Sequence, residues 1–162
     1  QFRYLFFEQL GWGIDEFDYL ISQLSKKYKY ILFSSDIENN KKTNNYNEYF
    51  IKHYSVIDFT IQTKNQNLKN PNIYYLKNIN SENLFYVLNE SVMNLGKEGL
   101  YSHVSFFLKK KCHNLFNFKI LNKDDIIHEK SSYSEWCKDM HFGFSFLNSD
   151  IKKATRKIIK NI

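Results

Sequence analysis

A carboxylate, a glycine and an imidazole stand close together in Glu98-Gly99-Leu100-Tyr101-Ser102-His103, directly after an apolar run and at the opening of a helix-patterned one. An acid accepts hydrogen bonds from ligand hydroxyls, glycine lets the backbone come close, and the first amides of a helix have no partner within it. That combination suits a phosphate-bearing, hydroxyl-rich ligand. Asp124-Asp125 and His128-Glu129 also bring carboxylates and an imidazole close in sequence, but in a polar stretch such a cluster reads as a solvated face rather than a metal site. The chain has no Walker loop, no G-x-S-x-G elbow and no dinucleotide fingerprint. His53, His113 and His141 are isolated, and His113 is expected to face outward from a strand beside Cys112. No metal and no cofactor are expected.

The elements that must position the Glu98 turn alternate between strand and helix. From Ser81 to Phe116 the chain reads as helix, strand, tight turn, helix and strand: a helix N-capped by Ser81 with Leu84, Phe85, Val87 and Leu88 facing the core, a strand at Met93 to Leu95, a helix at Ser102 to Lys110 and a strand at Cys112 to Phe118. Upstream, Tyr4 to Phe7 reads as a buried strand running into a loop with Gly11, Trp12 and Gly13. The spacing of Ile14, Phe17, Leu20, Ile21 and Leu24 then predicts a helix, with Asp15 and Glu16 in its first turn and Lys26 and Lys27 in its last, as the helix dipole favours. A strand at Tyr30 to Phe33 completes a strand, helix, strand unit of the kind that builds a parallel sheet.

The Asn/Lys-rich stretch from Ile37 to Asn47 fixes no conformation, and Tyr46 to Tyr54 fits a helix packing Tyr49 and Phe50. Val56 to Ile61 and Ile73 to Leu76 read as strands, separated by a loop that holds the chain's one proline, Pro71. Residues 119–147 show no clean period and are expected to run as a loose excursion. A C-terminal helix over 149–161 follows the Asn148-Ser149-Asp150 cluster, with Ile151, Ala154, Ile158 and Ile159 at helical spacing and Lys152, Lys153, Arg156, Lys157 and Lys160 on its other faces. That helix either docks on the domain, the favoured reading, or touches an anionic membrane surface.

The 162 residues are about the size of one domain, so a single α/β domain over 1–162 is expected, with a Rossmann-like parallel sheet flanked by helices. Hydrophobic residues make up 43% and no apolar run approaches the ~20 residues of a membrane span, which fits a soluble cytoplasmic chain with at most peripheral membrane contact. The N-terminus lacks the pattern of a signal peptide and begins without Met, which fits a fragment or a processed product. Two cysteines, Cys112 and Cys137, lie far from any metal-type spacing and read as thiols in a reducing compartment. Net charge +6 favours an anionic partner, yet the lysines are dispersed along the sequence, and the wealth of Asn, Lys, Ile, Tyr and Phe matches the coding bias of an AT-rich genome. Most aromatics fall in strands or on inward helix faces, which argues against single-stranded nucleic-acid binding.

The run from Glu98 to Lys111, EGLYSHVSFFLKKK, resembles the signature of the heptosyltransferase-type (ADP-heptose:lipopolysaccharide) glycosyltransferase family: an acid, a small residue, three more residues, His, then a helix before an apolar strand. GWGIDEFDYLISQL with YKYILFSSD is similar to the start of that family's C-terminal domain, and IYYLKNINSENLFYVLNES to its nucleotide-cradling strand, loop and helix. The three matches fall in order over about residues 2 to 118. The resemblance implies the donor-binding half of a two-domain GT-B enzyme, which transfers a sugar from a nucleotide-diphosphate sugar to a surface polysaccharide or lipid-linked glycan and takes its acceptor site from a missing or separate N-terminal domain.

Carried over to this sequence, the resemblance implies that Glu98 meets the donor sugar or the surroundings of its phosphates, that Gly99 and the amides of Leu100, Tyr101, Ser102 and His103 approach the diphosphate, and that Gly96, Lys97, Gly11, Trp12 and Ile79 line the same site. The chain departs from the family at Leu100, where Gly is usual, at Lys111, where Pro is usual, and at Leu10, where the family carries a phosphate-binding Lys. Lys97 is the candidate substitute. Beside these roles stand plainer ones: Gly96 and Gly99 as tight-turn residues, Trp12 as a loop plug, His103 as a hydrogen-bond donor opening a helix. A non-catalytic partner domain that keeps the fold is the alternative.

Overall fold

Apolar residues three and four apart fold Ile14–Ser25 into the first helix, α1, whose face of Phe17, Leu20, Ile21 and Leu24 is buried. The Glu16 carboxylate accepts the Gly13 N–H at 2.7 Å, closing the helix start, while the helix ends ahead of Lys26 and Lys27 rather than including them. The computed structural model describes residues 11–35, 41–60, 71–97, 100–117, 142–147 and 150–162. After α1 come β1 (Ile31–Phe33), α2 (Lys41–His53), β2 (Ser55–Asp58), β3 (Ile73–Lys77), α3 (Ser81–Glu90), β4 (Asn94–Lys97), α4 (Leu100–Phe107), β5 (Cys112–Asn117), β6 (Phe142–Leu147) and α5 (Ile151–Asn161).

The described strands form two three-stranded sheets, in the orders β1-β3-β2 and β4-β5-β6, and each of these pairings is parallel. Ile31 lies opposite Ile73 and Ser55 opposite Tyr74 in the first sheet; Asn94 lies opposite Cys112 and Cys112 opposite Phe142 in the second. Paired parallel strands require crossovers, and α4 supplies the one between the neighbours β4 and β5; α2 lies between β1 and β2, which both pair with β3, and α3 leads from the first sheet to the second. The architecture is mixed α/β, small parallel sheets flanked by helices. The strand expected at Tyr4 to Phe7 falls outside the described residues.

One apolar core joins both sheets through α1, α2 and α5, with Phe50, Phe33, Leu115, Ala154 and Ile158 among its buried members. Its centre is aromatic: Phe17, Phe33 and Phe50 meet pairwise with ring centroids 5.1 to 5.2 Å apart, two of the three pairs edge-on or nearly so, and Tyr54 and Tyr75 close the cluster. A smaller cluster of Leu88, Tyr101 and Cys112 packs α3 and α4 on the opposite face of the second sheet.

Several expectations need correction. The N-cap of α3 is Asn80, whose side chain accepts the Asn83 N–H at 2.8 Å, and Ser81 is the first helical residue. Only Leu88 of the four apolar residues assigned inward on α3 is buried; Leu84 and Val87 are partly buried and Phe85 is exposed. Residues 119–147 are not a loose excursion throughout, since Phe142–Leu147 pairs along its whole length with β5. His113 does not face solvent: β5 is the middle strand of its sheet, covered on both faces, so Cys112 and Asn114 turn toward α4 while His113 and Leu115 turn toward the α1 and α5 layer. The C-terminal helix docks, burying Ala154, Thr155 and Ile158, with Asp150 as its cap accepting the Lys153 N–H.

Candidate functional site

Because the strands within each sheet are parallel, their C-terminal ends share an edge, and the turns expected to bind a ligand follow those ends. Lys97 closes β4 and Leu100 opens α4, so the chain passes from strand to helix within two residues; those two, Glu98 and Gly99, lie outside the described residues. Buried polar pins hold this junction. The Tyr101 hydroxyl reaches the Gly96 carbonyl oxygen at 2.6 Å and the His113 carbonyl oxygen at 3.1 Å, and it also meets the Asn114 side chain. Asn94 donates to the Ser105 hydroxyl at 2.8 Å, which donates in turn to the Tyr101 carbonyl at 2.7 Å.

The carried-over residues separate into groups. Gly96 is buried beside the junction, and His103 is exposed on α4. Tyr101 buries its ring beside Leu88 and Cys112, and Trp12 is 2% exposed, a member of the larger apolar core. Gly11 takes φ +74°, the left-handed region open to glycine, at the turn before α1. Ile79 is half-buried after β3. Lys97 and Ser102 occupy β4 and α4.

Between the two sheets lies a cavity of about 640 Å3, walled by β1 and β4 and by side chains of α1 and α3 such as Leu20, Leu24, Leu84 and Val87. Its lining is largely apolar, with Ser34, Asn94 and the Tyr101 ring among its few polar-bearing members. A cleft of this size and character falls in the range of small-molecule sites. Among the described strands β1 and β4 each stand at the end of their sheet's order, β1-β3-β2 and β4-β5-β6, and residues of both line this cavity.

Two polar clusters that the sequence reading missed stand on the C-terminal edge of the first sheet. The Ser35 hydroxyl lies 2.6 Å from Asn47 Oδ1 and 2.9 Å from the Tyr75 hydroxyl, which itself donates to Asn47 Oδ1 at 3.0 Å. At the next strand ends, the Asp58 carboxylate takes the Lys77 ammonium at 2.9 Å, the Thr60 amide and hydroxyl at 3.0 and 2.7 Å and the Asn78 amide at 3.0 Å. Burial opposes its charge, but these donors outweigh burial and hold the carboxyl below the usual range. An acid at a strand end with Thr two residues on is the sequence signal of such a turn.

No protein-family model, no curated protein and no solved structure matches this chain. Among the described residues, no group of three or more His, Cys, Asp or Glu could hold a metal ion, and no helix is long and apolar enough to cross a membrane. Asp124, Asp125, His128 and Glu129 lie outside the described residues, as does Cys137.

Proposed function

We propose that this chain is the Rossmann-like, donor-binding domain of a GT-B glycosyltransferase of the heptosyltransferase type, acting with an N-terminal acceptor domain on a surface polysaccharide or lipid-linked glycan. One observation carries the reading: β1 and β4, each the end strand of its sheet among the described residues, line one cavity, and at the carboxyl end of β4 the chain enters α4 two residues later, at Leu100. In open α/β sheets the ligand sits outside the carboxyl ends of the strands, where the sheet order diverges. The acid-glycine-helix sequence at that point supplies the groups a nucleotide-diphosphate sugar requires.

In this reading the α4 amides from Leu100 onward face the diphosphate, Glu98 accepts from the sugar hydroxyls, and the nucleoside lies toward the apolar cavity. An acceptor hydroxyl attacks the anomeric carbon, the bond to the diphosphate oxygen breaks, and the helix N-terminus stabilises the charge on the departing nucleotide. The proton of the acceptor passes to a base outside this domain. The Tyr101 and Asn94 pins matter here because helix amides stabilise a leaving group only if they are already in position.

A second reading, a non-catalytic partner domain, is favoured by one observation, the Leu at position 10 where the resembled family has its phosphate-binding Lys. Calorimetric titration of ADP, GDP, UDP and CDP separates the two. Saturable binding of one diphosphate, weakened by Glu98→Ala and by His103→Ala, is the expected result. Failure of all four to bind a folded chain would move the conclusion to the partner domain.

A further inference from the structure

We infer that the edge of the molecule opposite the β4–α4 turn is a docking surface for an anionic lipid bilayer. The amino ends of β1, β4 and β5 and the C-terminal ends of α1, α4 and α5 gather there, stitched by side chains. Lys27 Nζ donates to the Ile159 carbonyl at 3.3 Å and Lys111 Nζ to the Ile162 carbonyl at 3.1 Å; Tyr28 reaches Ile162 O at 3.4 Å and Met93 Sδ at 3.6 Å. Segments far apart in sequence therefore form one surface. Lysines dispersed along the chain converge on it: Lys26, Lys27 and Lys29 between α1 and β1, Lys109, Lys110 and Lys111 between α4 and β5, and Lys157 and Lys160 on the last turns of α5. Among the described residues of this edge the one carboxylate side chain is Glu90, and none of these lysines forms an ion pair with a described acid.

Lysines near helix ends are expected from the helix dipole alone. The apolar residues standing among them are not. Phe107, at the last position of α4, is 81% exposed; Val92, just before β4, is 79% exposed; Tyr30, just before β1, is 56% exposed. Folding leaves these side chains in water on the same edge as the lysines, Tyr30 next to Lys29 and Phe107 two residues before Lys109, an arrangement that costs free energy unless something covers them. A bilayer with anionic headgroups matches both parts: the ammonium groups meet the phosphates while Phe107, Val92 and Tyr30 enter the interfacial layer. Docked this way, the sheets' carboxyl edge faces away from the membrane and stays open to ligand. The inference stands on this edge alone and does not depend on the nucleotide reading.

The test is flotation of the chain with phosphatidylcholine vesicles containing or lacking phosphatidylglycerol. Binding is expected only with phosphatidylglycerol and is expected to fall steeply as salt rises. The double variant Lys109→Glu, Lys110→Glu should weaken it by at least about thirtyfold, from about fivefold per lysine removed near a charged bilayer, the added carboxylates acting in the same direction. Phe107→Ser should weaken it at constant charge, whereas Lys152→Glu with Lys153→Glu, at the far end of α5, should leave it within about twofold. Phe107, Lys109, Lys152 and Lys153 are exposed and Lys110 is partly so, and unchanged circular dichroism secures the comparison. Equal losses from both double variants would mean attraction by net charge alone and overturn the inference, as would no binding to phosphatidylglycerol vesicles. Tight binding of a single-stranded oligonucleotide that displaces the vesicles and survives Phe107→Ser would assign the edge to nucleic acid instead.

Discussion

The Tyr101 hydroxyl sits 2.6 Å from the Gly96 carbonyl oxygen, joining the first turn of α4 to the strand that precedes it, across the turn that carries Glu98. A phenol has one proton and this one has three oxygen neighbours, the third being Asn114 Oδ1, while Asn114 Nδ2 is buried without a partner. Amide oxygen and nitrogen are nearly isosteric, so the chemistry favours the rotated amide, in which Asn114 donates to the phenol oxygen and the phenol donates to Gly96. Tyr101→Phe should then cost about 1–3 kcal/mol in urea unfolding, because buried acceptors lose their donor. Amide exchange in β4 and the first turn of α4 should quicken with it. A loss below about 0.5 kcal/mol would mean that the hydroxyl organises nothing.

His113 is 1% exposed, and burial, helped by Lys111 and Lys157, lowers its pKa from 6.5 to about 4. The unfolded chain therefore binds a proton that the folded chain refuses between these values. Stability from this group is complete above pH 6.5, falls as pH drops toward about 4, and is level below, with a total of at most roughly 3 kcal/mol. His113→Leu should flatten the denaturation midpoint across that window. A wild-type midpoint independent of pH from 7 to 4.5 would contradict the burial of this imidazole.

How much of this was legible in the sequence depended on how local the signal was. Helix α1 and its buried face follow from the spacing of Phe17, Leu20, Ile21 and Leu24, which is period alone. Helix α2 starts near Lys41, earlier than Tyr46, because its first half is Asn/Lys-rich and has no apolar face to read; what holds the helix is the burial of Phe50 further along. Strand β6 was missed since an edge of a parallel sheet is defined by its partner, β5, and not by its own alternation. The same dependence misled the reading of His113, whose face is decided by strand order. The β4–α4 turn was legible as a turn, but the cavity beside it was not, being made by residues from α1, β1, α3 and β4 together.

Asp58 binds four donors at the ends of β2 and β3, among them Asn78, which adopts φ +55° to reach it. The folded carboxyl titrates below its ordinary 3.8, so its contribution is fully present above that pH and is lost as acid protonates it in the folded chain. Asp58→Asn keeps the shape, removes the charge and leaves Lys77 without its carboxylate. The variant should be less stable at neutral pH by about 1–2 kcal/mol, the range for hydrogen bonds to a charged group discounted for solvent access, and the difference should shrink below pH 3. Parallel urea curves at both pH values decide it; an undiminished gap in acid would place the effect in packing rather than charge.

Asp18 on α1 accepts hydrogen bonds from two phenols of the following helix region, Tyr49 at 2.5 Å and Tyr54. Burial first, then the hydrogen bond and charge of Asp18, push Tyr49 up to about 12 and Tyr54 further in the same direction. A raised folded pKa means that these phenols stabilise the fold fully below pH 10 and progressively less as pH climbs past it, because the unfolded chain releases protons that the folded chain retains. An ultraviolet titration of tyrosinate should therefore show a late group that ionises only as the chain unfolds. Asp18→Asn removes the carboxylate, so the late group should move earlier and α2 should detach at lower urea concentration, for a loss of about 1–3 kcal/mol. If instead the variant titrates like the parent, the phenols owe their resistance to burial alone, and the carboxylate is only a neighbour.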